Sequence, residues 1–148
     1  MLITSVDDSF TMAAQSTASG RSESLIDLPS NPVGYVAVLA ALVTGVLHLV
    51  LASQVMGFSQ TMGILFVLNG LGFLGGIGLY LTRYWNRSLY LVAAGYAVVT
   101  ILAFFAFQGF SLDAFYRQGS LNPIAVVSKA VELVVAICAI YLYTDTSA

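Results

Sequence analysis

Lys129 and Glu132 stand three residues apart inside an apolar run from Ile124 to Tyr143. A charged group in hydrocarbon costs about 2.5–3.5 kcal/mol on insertion scales, so it is kept for pairing, for a pathway or for proton exchange. The i,i+3 spacing sets ammonium and carboxylate on one face of a helix, where they can pair. Two readings stay open. One is a structural ion pair that anchors a helix bundle. The other is a site where Glu132 exchanges a proton or a cation. Lys129 lies near the start of its run and can also reach back toward the membrane surface.

His48, the one histidine, sits in a second apolar run, and Asn69 in a third. Imidazole switches charge near neutral pH and could hydrogen-bond a carboxylate. With about 1.5 Å of rise per residue, His48 lies roughly 8 Å from the outer end of its run and Asn69 roughly 10 Å. Lys129 and Glu132 lie roughly 8 and 12 Å from the outer end of theirs. Their common depth predicts one buried polar cluster of His48, Asn69, Lys129 and Glu132. Thr44, Tyr96, Thr100 and Ser128 are candidates for its further lining.

Other chemistry is excluded. One cysteine, Cys138, rules out an internal disulfide, a redox pair and a cysteine-based metal site. One histidine rules out paired imidazoles on a haem within one chain. His48 and Glu132 alone make too thin a ligand set, so no metal or cofactor is expected. No nucleophile stands with a base, and the reading leans away from an enzyme.

The elements that must position these groups are transmembrane helices. Of 148 residues, 59% are hydrophobic and 8% charged, and the mean hydropathy is +0.91. Soluble domains carry about a quarter charged residues. Five Lys or Arg and seven Asp or Glu cannot cover a water-facing surface or hold a nucleic acid. Four apolar stretches of spanning length follow, at about 33–53, 62–81, 89–107 and 124–143. They are continuously apolar, which excludes the alternation of a membrane barrel. Asn31-Pro32 and Asn122-Pro123 each place a capping Asn before a Pro at the first turn. The expected fold is an all-α integral membrane four-helix bundle, residues 31–148.

Residues 1–30 hold ten Ser or Thr and charges summing to −3, with no apolar run to bury. They read as a disordered tail, and either Met1 or Met12 can be the start. The 82–88 link is basic and aromatic, which suits a headgroup layer. In the 108–123 link, Ser111, the Asp113/Arg117 spacing and Gly119 predict an interfacial half-helix.

Small residues mark helix contacts in membranes. The predicted faces are Ala37, Ala41, Thr44, His48 and Ala52 in the first span, and Asn69, Gly72 and Gly76 in the second. The third offers Ala93, Tyr96, Thr100 and Ala103, and the fourth Ala125, Ser128, Lys129 and Glu132. Packing alone accounts for most such stripes. Arg21, Arg83 and Arg87 fall on one side and Arg117 on the other, so both termini are expected in the cytoplasm.

The runs Gly45-Val46-Leu47-His48-Leu49, Asn69-Gly70-Leu71-Gly72-Phe73-Leu74 and Lys129-Ala130-Val131-Glu132 resemble those of small four-span membrane proteins of unknown function from salt-loving archaea. The resemblance covers about residues 33 to 143 and implies an all-helical membrane protein without a known activity. The leading expectation is an accessory or binding subunit that packs on itself or a larger membrane complex. The alternatives are a proton- or cation-coupled transporter using Glu132 and His48, and a redox or quinone-binding subunit.

Overall fold

The computed structural model describes residues 24–146. The expectation of a disordered tail falls largely on residues 1–23, outside the described ones. Four helices carry the fold: α1 Pro32–Met56, α2 Gln60–Tyr80, α3 Arg87–Gln108 and α4 Pro123–Asp145. All four are long and apolar enough to cross a membrane. Each starts on a polar side chain that accepts an otherwise orphaned backbone N–H. Asn31 accepts from Val33 and Asn122 from Ala125, as their Asn-Pro pairs predict. Ser59 accepts from Met62 and Asn86 from Ser88, two caps that the sequence reading did not single out.

Short links make the bundle run up and down. α1 packs on α2 and on α4, and α3 packs on α4, while the backbones of α2 and α3 scarcely approach. The core is built from Ala40, Ala41, Phe73, Ala97, Val135 and Ala136, with Ile77, Val131 and Val134 against it. Alanine dominates because small side chains let helix backbones close on one another. The closest approach joins α1 to α2. A Cβ on Gly70 would lie 2.8 Å from the Gly45 carbonyl oxygen and 2.7 Å from Leu49 Cγ, so only glycine fits there.

One end of the bundle holds both ends of the described chain and the α2–α3 link. There Asn31 Nδ2 donates to Asp145 Oδ2 at 2.8 Å, tying the start of α1 to the end of α4. Residues 25–27, assigned to the tail from composition, lie along the link. The Asp27 N–H donates to the Leu81 carbonyl at 2.9 Å, and the Arg83 N–H to the Leu25 carbonyl at 3.1 Å. The opposite end carries the α1–α2 and α3–α4 links.

The 108–123 link differs from the expected half-helix. Leu112–Phe115 form a single 3₁₀ turn, then β1 (Tyr116–Arg117) pairs antiparallel with β2 (Ser120–Leu121). Gln118 and Gly119 connect them at φ of 53° and 79°. Two consecutive residues at positive φ make the tight hairpin turn that matches strand twist, and they stop a helix. The Ser111 side chain makes no cap hydrogen bond to the turn, and Arg117 stands in a strand, no longer one helical turn from Asp113. Phe110, Leu112, Tyr116 and Leu121 remain exposed, as an interfacial segment requires.

Candidate functional site

Glu132 is the centre. It is 0% exposed, on the face of α4 turned to α1. A buried carboxylate needs several donors to replace water. Oε2 accepts from Lys129 Nζ at 2.5 Å, one turn back on the same helix. Oε1 accepts from Thr44 Oγ1 of α1 at 3.0 Å and from Ser128 Oγ at 3.3 Å. Thus the ion pair is local to α4, and the hydrogen bond that crosses the bundle comes from a threonine hydroxyl. Lys129 is 9% exposed, and its ammonium also sits 5.3 Å from the centre of the Phe104 ring of α3, within cation–π range. The snorkelling alternative for Lys129 therefore gives way to a turn inward.

His48 lies one turn beyond Thr44. Its Nδ1 is 2.9 Å from the Thr44 carbonyl oxygen, which can only accept, so Nδ1 carries the proton. Nε2 then faces Glu132 Oε1 at 3.7 Å, beyond direct hydrogen-bond length. The imidazole also lies against two rings of α2, 5.2 Å from that of Phe66 and 6.4 Å from that of Phe73. His48 is thus held beside the carboxylate, with Thr44 as the intermediary.

Of the four residues assigned to one cluster, His48, Lys129 and Glu132 come together, and Asn69 does not join their hydrogen bonds. Asn69 is only half-buried and contributes its backbone carbonyl, which accepts from Tyr96 Oη of α3 at 3.1 Å. Thr44 and Ser128, expected as lining, are direct partners of Glu132. Tyr96 belongs to the contact with Asn69, and Thr100 Oγ1 donates to the Ala97 carbonyl of its own helix at 2.8 Å. The predicted stripes of α1 and α4 coincide with the buried faces, while those of α2 and α3 are rotated. Gly63, Gly70 and Phe73 are buried on α2, and Tyr90, Ala94 and Ala97 on α3. The i,i+4 spacing of Thr44 and His48 was the signal that could have promoted Thr44. Nothing in the spacing marks Phe104.

Chemically, the arrangement is a carboxylate compensated by one ammonium and two hydroxyls, with the Nε2 of His48 alongside. Among the described residues, no three His, Cys, Asp or Glu side chains gather to hold a metal ion. The profile of a family of unknown function (DUF7475) matches residues 19–143, most of the chain. The chain belongs to this family. The DUF7475 match takes in all four residues of the central cluster, Thr44, Ser128, Lys129 and Glu132, together with His48. No curated protein and no solved structure matches.

Proposed function

We propose that this DUF7475 member is a multi-pass protein of the cell membrane, acting as an accessory or binding subunit with no catalysis of its own. The observation that carries this reading is how the polar chemistry is used. The one buried acid among the described residues is fully enclosed, and its donors come from α1 and α4 themselves. Toward the end that holds Asn31 and Asp145, Ala40, Ala41, Phe73, Ala97, Val135 and Ala136 close the bundle. A polar group so enclosed, with its donors supplied from within the bundle, suits a device that fixes helix pairing. The test joins two measurements. Native co-purification from the source membrane should recover the protein with a membrane partner or a second copy. The purified chain in liposomes should pass protons no faster than empty vesicles.

A second reading, proton or cation transport, draws on the Nε2 of His48 facing Glu132 Oε1 at 3.7 Å. It predicts flux that vanishes in Glu132→Gln. Such flux would replace the accessory reading.

For orientation we favour cytoplasmic termini. Arg83 and Arg87 lie in or beside the link at the same end as Asn31 and Asp145, and Arg117 lies at the other. Basic residues flanking spans stay on the cytoplasmic side. With Cys138→Ala as background, an impermeant thiol reagent on intact cells should label a cysteine at Gln60 and spare one at Ser88. The reverse pattern would invert the assignment.

A further inference from the structure

We propose that the cleft between α2 and α3 binds one hydrocarbon chain of an anionic membrane lipid, with the lipid's phosphate at the arginines of the α2–α3 link. The inference rests on the membrane-spanning reading and is independent of the accessory role. The cleft has a volume of about 210 Å³ and an almost wholly apolar wall. Gly72 and Gly76 of α2 and Ala93 of α3 form its sides, and Ala41 and Val135 its back. Leu79 and Val92 stand exposed among its lining.

Its length selects the occupant. At one end Tyr96 closes it: the hydroxyl reaches across to the Asn69 carbonyl, and the ring lies 5.1 Å from that of Phe73. At the other end stand Tyr80, Trp85 and Tyr90, packed edge to face with centroids 4.9–5.9 Å apart. From Gly72 to Tyr80 the cleft runs roughly 12 Å, at about 1.5 Å per residue. That is a little under half of a hydrocarbon core of about 30 Å, the reach of a chain from one leaflet. A partner's transmembrane helix would need a groove down the whole bundle. This one stops at mid-depth.

Its surface end selects the headgroup. The link and the first turn of α3 carry Arg83 and Arg87. Asp27 lies alongside through its backbone bond to Leu81, and Arg87 Nε donates to the Tyr143 carbonyl at 3.0 Å. Guanidinium groups pair with phosphate through two parallel hydrogen bonds, and tryptophan and tyrosine rings sit at headgroup depth. Trp85 Nε1 is shut from solvent among those rings, with no hydrogen-bond acceptor among the described residues.

The glycines make the test clean. A Cβ added at Gly76 or at Gly78 meets nothing within 4 Å, but only Gly76 lines the cleft. Gly76→Leu should place its side chain in the cleft, starting from a Cβ that meets no neighbour, and Gly78→Leu is the matched control. Native mass spectrometry of the full chain in mixed micelles with phosphatidylglycerol or phosphatidylcholine reads retained lipid directly. The wild-type chain should retain a single phosphatidylglycerol, at least tenfold more strongly than phosphatidylcholine. Gly76→Leu should reduce retention at least tenfold while its melting temperature holds, and Gly78→Leu should retain lipid as wild type. Arg83→Gln should keep a bound lipid and lose the preference for phosphatidylglycerol. Equal retention by Gly76→Leu and wild type would overturn the site, as would a protein crosslinked at position 76 in native membranes. An undiminished preference in Arg83→Gln would overturn the headgroup assignment.

Discussion

Replacing Lys129 by leucine is expected to lower the unfolding free energy in micelles by about 3–5 kcal/mol, and replacing Glu132 by leucine to do the same. The size comes from what is left behind. Without Lys129, the Glu132 carboxylate keeps two hydroxyl donors but loses its ammonium partner, in an interior where it is 0% exposed. Without Glu132, the ammonium keeps, among the described residues, the Phe104 ring, a contact worth about 0.5–2 kcal/mol. Neither remnant replaces the lost solvation, since an isolated buried charge is the costliest arrangement available. Reversible unfolding by SDS titration reads the effect. A loss under about 1 kcal/mol for both variants would place the pair in a solvated site.

The second large effect is expected at Thr44. Thr44→Val keeps the shape, removes the one hydrogen bond from α1 to the carboxylate, and should cost about 1.5–3 kcal/mol, the range for bonds to charged groups. Ser128→Ala withdraws a second donor from the same oxygen, Oε1. The two changes share an acceptor and should therefore be non-additive, coupling by at least about 0.5 kcal/mol. Asn69→Leu should couple to neither, because the Asn69 side chain takes no part in these bonds. A coupling of Asn69 as large as that of Ser128 would contradict the geometry described.

Much of this site was legible in the sequence, for particular reasons. A lysine and a glutamate one turn apart in an apolar run share a helix face where they can pair, and lipid makes leaving either alone costly. The face of α1 was legible because Ala41, Thr44, His48 and Ala52 recur at helical spacing amid bulky aliphatics. The faces of α2 and α3 were less so. α2 scatters glycines around its circumference, and of the two that are buried Gly70 is settled by the Gly45 backbone and Gly63 by Met56, both on another helix. Asn69 shares the depth of the cluster but sits one residue, and so about 100° of rotation, from Gly70. Depth along a helix says nothing about azimuth. The hairpin at Gln118-Gly119 was hidden for a local reason. A capping serine and an i,i+4 charge pair suit a helix equally well until positive φ at both turn residues is known.

The account's central claim is that Lys129 and Glu132 form one enclosed pair around which α1 and α4 are fastened. The unfolding free energy of the double variant Lys129→Leu/Glu132→Leu, measured beside both single variants, tests it most directly. Exchanging a buried pair whole for apolar side chains is often neutral, because both desolvation costs leave with it. The double variant should therefore be more stable than either single one, with a coupling of about 3 kcal/mol or more. Strictly additive losses, leaving the double variant the least stable of the three, would contradict it.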